Sequence, residues 1–493
     1  MWRPFTSLLM RLFDRHRDRR PPNVLWICAD DFAPYVSGTY GDPKARTPNL
    51  DRLAAQGMRF DRAYCACPLS TPSRMAFLTG RYPRSVGVTL SRTPLPKDEV
   101  TVGNLLRKSG YEAVAVGKTH YYSPLHREFD HCIDRDEHEH RMANEGLRTL
   151  PPDVPLLGPW RPFVDPAPVW LNAACLPYAS DAAMPDTFLA GEAARFLNEE
   201  RAKPFFLSVG FYVTHAPFRF PIELRGLFDP GSFAIPEVGA EDHARIPPVF
   251  RDLTDGEKRG ITAAYYTSVA YMDRNLGLIL DALDRSGHAD DTLVVFNSDH
   301  GYLLGQHGRF EKHCCHEEAV RSALVMRLPG VVAPGRATDA LVELIDIVPT
   351  ILELCGIDIS ATIQGRSFSP LLGGQVDRHR DHVIVEYADN AEAMVRTGRW
   401  KLIYSGGNRR RRDGYALEPS LPGRSIRLYD LFDDPHELSD VSDRAEHAGR
   451  VAELLAILAE HLGRTARYPD LLPRTDDVHL LLDRWLTPGD ARG

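Results

Sequence analysis

The chain has 493 residues, 43% of them hydrophobic and 26% charged, with a net charge of −8. That length exceeds one ordinary domain, and the composition excludes a disordered or fibrous protein. The mild acidity lacks the basic footprint of a nucleic-acid binder, so no nucleic-acid partner is expected.

Residues 1–20 hold the short uncharged stretch Pro4–Met10, then Arg11, Arg15, Arg17, Arg19 and Arg20 among acids. This is too short for a secretory apolar core and lacks a small-residue cleavage site, so it reads as a flexible basic tail. No apolar run reaches the ~18 residues of a membrane span. A cytoplasmic protein with no membrane partner is the expectation.

The first apolar run, Val24–Ala29, ends in Asp30-Asp31. Thr47-Pro48 opens a helix that Gly57 stops, proline being suited to a first helical turn. Ser70-Thr71-Pro72-Ser73-Arg74 then precedes Thr79-Gly80, and the intervening residues fit a helix that starts at Ser70. A second run, Glu112–Val116, ends in Gly117-Lys118-Thr119-His120. From Leu125 to Pro185 prolines are frequent, and the charged stretch Asp134–Arg141 reads as a solvated loop. Long loops of this kind at strand ends are where substrate selectivity would sit. A third run, Phe205–Phe211, ends near Thr214-His215, and Tyr265–Leu283 has the apolar spacing of a helix with one buried face. A fourth, Thr292–Phe296, ends in Asn297-Ser298-Asp299-His300-Gly301. Continuous β-branched and aromatic runs between helices predict buried parallel strands, and in such sheets ligands bind beyond the carboxyl ends. The four ends are therefore expected to meet in one site.

Further on, His313-Cys314-Cys315-His316 can be imagined as a metal cluster, but adjacent cysteines cannot easily both face one tetrahedral ion. The eight cysteines form no CxxC pair and read as reduced, buried thiols. Gly373-Gly374-Gln375 marks an expected boundary between a catalytic domain, 21–375, and a smaller α+β domain, 376–493. There Val383–Val385, Ala393–Arg396 and Trp400–Tyr404 suit a small antiparallel sheet, with a helix over Arg450–Leu462. Arg409–Arg412 reads as an exposed turn, with contact to a polyanion as the alternative.

Asp30, Asp31 and Asp299 offer hard oxygen ligands from two strand ends, which favours Ca²⁺ or Mg²⁺. A strand-end Asp can instead cap a helix, but an adjacent pair echoed by Asp299 is poorly explained that way. A metal beside Ser70 lowers the pKa of a bound hydroxyl, Arg74 can hold both through its fork of donors, and a helix N-terminus attracts an anion. Lys118, His120, His215 and Lys312 add cations to clamp an anionic ester and imidazoles to move protons.

With these residues the chain resembles the type I sulfatases of the alkaline-phosphatase superfamily over nearly its whole length. The signature C/S-x-P-S-R followed by T-G appears as Ser70-Thr71-Pro72-Ser73-Arg74 with Thr79-Gly80, and G-K-x-H as Gly117-Lys118-Thr119-His120. The D-D strand end appears as Asp30-Asp31, and the second metal-binding strand end as Asp299-His300-Gly301. Val209–Pro221 and Leu304-Gly305-Gln306-His307-Gly308 leading to Lys312 are similar to the iduronate sulfatase branch, and choline sulfatases share parts of the pattern. Leu428-Tyr429-Asp430-Leu431 with Asp434-Pro435 and Glu437 is similar to the family's closing signature.

The resemblance implies an alkaline-phosphatase-like α/β fold, with a large mixed, mostly parallel sheet flanked by helices and a smaller antiparallel C-terminal sheet with a packed helix. It implies a hydrolase that releases inorganic sulfate from a sulfated carbohydrate or small sulfate ester. Residue 70 would be oxidised to formylglycine and would ligate one divalent ion together with Asp30, Asp31, Asp299 and His300. One hydroxyl of the formylglycine hydrate attacks sulfur, and the alcohol leaves with a proton from His215, or failing that Lys312. His120 deprotonates the other hydroxyl, which expels sulfate. Serine at position 70, where many members carry cysteine, implies a radical-dependent, serine-type maturase as partner. Histidine at 300, where many carry asparagine, leaves Ca²⁺ expected and Mn²⁺ or Mg²⁺ open, because imidazole softens the site. Two other functions compete: a phosphodiesterase or phosphonate monoester hydrolase, using formylglycine or unmodified Ser70 as nucleophile, and an inactive binder of sulfated glycans. The intact residue set argues against the binder.

Overall fold

The computed structural model describes residues 21–122, 128–144, 180–406, 423–467 and 474–487, and the backbone of Cys175–Pro177. The basic tail, the Arg409–Arg412 turn and most of the expected selectivity loop lie outside these residues.

An eight-stranded sheet organises the region before Gln375. Its strands are β1 (Asn23–Ala29), β2 (Met58–Phe60), β3 (Glu112–Gly117), β4 (His131–Ile133), β5 (Phe205–Gly210), β6 (Thr292–Ser298), β7 (Leu324–Arg327) and β8 (Arg336–Thr338), in the order β8-β2-β7-β6-β1-β5-β3-β4. The five strands from β6 to β4 run parallel, and β7 is antiparallel to both its neighbours. β1 and β6 are buried at every residue, as strands covered on both faces must be. The helices α1 (Pro48–Gln56), α2 (Ser70–Thr79), α3 (Pro185–Leu197) and α4 (Asp255–Arg285) belong to this region. α4 extends the expected Tyr265–Leu283 pattern, opening at a capping box in which Thr254 and Glu257 satisfy each other's amides.

The charged stretch Asp134–Arg141 is not a solvated loop, because Arg135–Asn144 is helical. The stretch contains no Gly or Pro, Glu137 reaches back to the amide of Asp134 at 2.8 Å, and Arg135 pairs with Glu139 one turn on. Its one buried residue, His138, hydrogen-bonds the carbonyl of Ala183.

Beyond Gln375 the strands β9 (His382–Tyr387), β10 (Glu392–Thr397), β11 (Trp400–Ser405) and β12 (Ser425–Asp430) form an antiparallel meander. One face packs Ile384, Val395 and Leu402 against Leu454, Leu458 and Leu462 of α5 (Ala448–Thr465) and Trp485 of α6 (Val478–Trp485). The other face sends Val383, Val385, Met394 and Ile403 into the core that Trp26 and Phe77 share. The described cysteines are unpaired, and all of them are buried except Cys132. No described helix is long and apolar enough to cross a membrane.

Candidate active site

Sheet register sets the site. Cys28 pairs with Gly210, Ala29 with Ser298, and Gly117 with Gly210, so β1, β3, β5 and β6 finish side by side. Their next residues supply Asp30-Asp31, Lys118, His215 and Asp299. The β3 and β5 ends come so close that a Cβ on Gly210 would lie 2.0 Å from the Lys118 carbonyl oxygen. Gly117, at φ 84°, makes the turn that releases Lys118 into the site.

Both aspartates after β1 are buried, and Asp31 has a left-handed φ of 55°. That turn is fastened from behind: Thr214 donates to the carbonyls of Asp30 and Asp31, each at 3.2 Å, and the Tyr265 hydroxyl donates to that of Asp31 at 2.6 Å. Their carboxylates then have separate tasks. Asp30 meets Lys118, Arg74 and the Ser70 hydroxyl, and Asp31 meets Lys312 at 2.7 Å and His300 at 3.5 Å. Asp299 accepts the amides of Asp31 and His300 on one oxygen and Arg74 Nε at 3.0 Å on the other.

Helix α2 is buried along its whole length, and extended Leu69 leads into it so that Ser70 stands in its first turn. Ser70 Oγ lies 3.2 Å from Asp30 Oδ1 and 3.1 Å from His300 Nε2. One turn on, Arg74 spans three partners: Asp299, Asp30 and the Lys118 carbonyl. Ser73, between them, donates to the carbonyl of Asp299.

Charge balance follows from this packing. Burial pushes the Asp30 carboxyl up, but Lys118, with His215 and Arg74, outweighs it and holds the group well below the ordinary range. Burial raises Asp299 and lowers His300, so the latter is a neutral imidazole whose Nδ1 is fixed on the Gly301 carbonyl. A third of the His215 side chain opens into the cavity, yet desolvation by the surrounding walls pushes it down to about 4. Its Nδ1 is tied to the Ala216 carbonyl and its Nε2 lies 4.0 Å from Asp31. Burial, followed by Lys118, also holds His120 well below its usual range, and its Nδ1 is enclosed without a hydrogen bond.

The geometry therefore links Asp30, Asp31, Ser70, Arg74, Lys118, Asp299, His300 and Lys312 directly, while His215 and His120 join them along one cavity of about 840 Å³. Arg92, Arg135, Arg219, Tyr212, Asp186 and Asp389 are among its other wall residues. Sequence reasoning missed Thr214, Tyr265 and Asp186. Adjacency to His215 could have signalled Thr214; Tyr265 stands mid-helix with no local signal. His313 and His316 diverge: the first lines the cavity beside Glu311, and the second bonds Glu437 and Arg427, so the four-residue run is no single cluster.

Asp31, Asp299 and His300 fit a divalent ion. His300 Nε2 is 3.5 Å from Asp31 Oδ1 and 3.6 Å from Asp299 Oδ1. Ligands at ~2.4 Å around one six-coordinate ion stand about 3.4 Å apart, and hard oxygens with one imidazole match its chemistry.

A mostly parallel sheet with buried strand-end acids facing a hydroxyl at a helix start defines an ester hydrolase of the alkaline-phosphatase-like class. The chain belongs to the sulfatase family, whose family model matches residues 22–357; a model for the N-sulphoglucosamine sulphohydrolase C-terminal region matches residues 305–464. It is thus a sulfuric ester hydrolase. It is 29% identical to a sulfatase of Formosa agariphila, over 89% of this chain and 86% of that one. It is 27% identical to choline-sulfatase of Rhizobium meliloti, over 86% and 82% respectively. The crystal structure of a phosphonate monoester hydrolase of Agrobacterium radiobacter superposes with a TM-score of 0.73 at 25% identity, over 89% of this chain and 96% of that one.

Proposed function

We propose that the enzyme releases inorganic sulfate from a sulfated carbohydrate or small sulfate ester, with residue 70 converted to formylglycine by a serine-type maturase. The observation that carries this reading is Ser70 Oγ, held 3.1–3.2 Å from both Asp30 and His300 at the cavity wall. Asp30, Asp31, Asp299 and His300, with the oxygen of residue 70, would hold one Ca²⁺. Such an ion supplies positive charge to an ester oxygen in the transition state. A hydrated formylglycine at residue 70 would supply two hydroxyls, one as the nucleophile toward sulfur and one to be deprotonated for sulfate release.

The chain's own groups do the rest. Lys118 and Lys312 clamp the sulfate oxygens, exchanging part of their pairing with Asp30 and Asp31 for the bound anion. Arg74 keeps Asp30, Asp299 and the Lys118 backbone in register. His215 presents Nε2 to the cavity, and an anionic ester beside it raises its proton affinity, so it delivers the proton to the leaving alcohol. His120, a neutral imidazole with an unbonded nitrogen, is the base for the second step.

Mass spectrometry of the tryptic peptide containing residue 70, from protein produced in its native host, tests this reading. A mass lower by two hydrogens than serine, together with faster turnover of an aryl sulfate than of an aryl phosphonate monoester, is expected. Unmodified serine together with faster phosphonate turnover would favour the hydrolase class that the superposed structure represents.

A further inference from the structure

A second buried set of ligand-type side chains lies where the segment after β6 meets the C-terminal sheet. Asp242 accepts His307 Nδ1 at 2.7 Å. The other ring nitrogen, Nε2, belongs to a residue only 2% exposed and has no hydrogen-bond partner. Glu318 Oε2 faces it at 3.7 Å and is also without a hydrogen bond. Glu437, buried and contributed by the chain after β12, completes the group: His307, Glu318 and Glu437 each offer a donor atom within 4.8 Å of the other two.

We propose that His307, Glu318 and Glu437 form a second metal site, for one divalent ion of the zinc class, joining the catalytic region to the C-terminal sheet. One imidazole with two carboxylates is a donor set that suits such an ion. Donors ~2.1 Å from a tetrahedral ion stand about 3.4 Å apart, close to the His307–Glu318 separation. Asp242 supplies what a ligating histidine ordinarily has, a carboxylate on its other ring nitrogen that fixes tautomer and orientation. His316, although stacked on His307 at 3.6 Å, is not a ligand. Its Nδ1 bonds Glu437 Oε2 and its Nε2 accepts from Arg427, each at 3.1 Å. Lys401, 2.7 Å from Glu437 Oε1, and the Glu317 amide, which donates to Oε2 at 2.8 Å, orient that carboxylate, and the lysine offsets part of the local negative charge. A protonated His307 shared between Asp242 and Glu318 is the arrangement that competes with the ion.

Bound zinc, measured by mass spectrometry after loading with Zn²⁺ and removing the excess, separates these in three full-length proteins: wild type, Asp31→Asn and Glu318→Gln. Asp31→Asn, which damages the catalytic ion site, should retain one zinc per chain; Glu318→Gln should lose it, along with the zinc-dependent rise in Tm, while still turning over aryl sulfate. Should Glu318→Gln fail to fold, Co²⁺ added to Asp31→Asn gives the same answer: an intense visible band from an imidazole–carboxylate site is expected. Equal zinc in wild type and Glu318→Gln, or no zinc and no such band in Asp31→Asn, overturns the second site and leaves a protonated His307 in its place. Neither result bears on the catalytic ion, whose failure would show as unchanged turnover in Asp31→Asn.

Discussion

Replacing Arg74 by lysine keeps the charge and removes the fork. In the native site Nε reaches Asp299 at 3.0 Å, one terminal nitrogen reaches Asp30 at 3.3 Å, and the other reaches the Lys118 carbonyl at 3.0 Å. A single ammonium cannot span three partners that belong to three different strand ends. Arg74→Lys is expected to lower kcat by about 10²-fold with a smaller change in KM, read from steady-state turnover of an aryl sulfate. Asp186 acts one step further out: it accepts the amides of Tyr212 at 2.7 Å and Val213 at 3.4 Å, bracing the segment that carries His215, and burial pushes its carboxyl up to about 6. Asp186→Ala strands those amides and should cost roughly 10²-fold in kcat, whereas Asp186→Asn, which keeps an acceptor, should recover most of it. The two residues also mark what a sequence discloses at this scale. Arg74 sits inside a spaced motif beside a hydroxyl; an aspartate in the first turn of α3 looks like an ordinary helix start, and only the fold reveals what it holds.

Strands carried the legible part of the architecture. The runs ending at Asp30, Lys118, His215 and Asp299 were readable because each is dominated by aliphatic, β-branched or aromatic residues and stops on residues with chemistry to offer. The antiparallel β7 and the short β2, β4 and β8 were not, because runs of three or four residues hold no period. Asp134–Arg141 was misread as a loop for the opposite reason: a surface helix of charged residues, here Arg135–Asn144, shows the same composition as a solvated loop, and its i,i+4 pairing forms only once the backbone is helical. At the β3–β5 closure the prediction is steric. Gly210→Ala places a Cβ against the Lys118 carbonyl, backbone against which nothing can rotate away, and must part the strand ends. A loss of about 3 kcal/mol in urea unfolding is expected, with lowered turnover as Lys118 shifts. Native stability and activity in Gly210→Ala would show that these ends close less tightly than the register demands.

Across the whole molecule the C-terminal sheet is tied to the catalytic region by buried charge as well as by apolar packing, and none of that pairing was readable from residues so distant in sequence. Lys401 of β11, fully buried, reaches Glu317 at 3.2 Å and Glu437 at 2.7 Å. Arg380, just before β9, binds Asp346 through two nitrogens and Glu343 at 3.0 Å. Burial pushes the Asp346 carboxyl up, but Arg380, together with the His379 ring and the amides of Glu343 and Arg366, outweighs it and holds the group below its ordinary value of 3.8. The sign of the pH dependence follows. Above 3.8 the group is ionised whether the chain is folded or not, and its full stabilisation is present. As pH falls below that value the unfolded chain takes up a proton that the native carboxyl refuses, and about 1.4 kcal/mol is lost per pH unit until the native group is protonated too. Asp346→Asn removes the charge at every pH and leaves Arg380 with Glu343 alone, a cost of about 3–5 kcal/mol at pH 7. Other paired carboxylates also contribute to acid unfolding, so the informative quantity is the difference between the two proteins. In urea titrations at pH 7, 5, 4 and 3 the gap between wild type and Asp346→Asn should be constant down to about pH 4 and then narrow. A gap that stays constant to pH 3 would mean that Arg380 does not hold the carboxyl down, leaving Lys401 with Glu317 and the apolar packing as the tie between sheet and catalytic region.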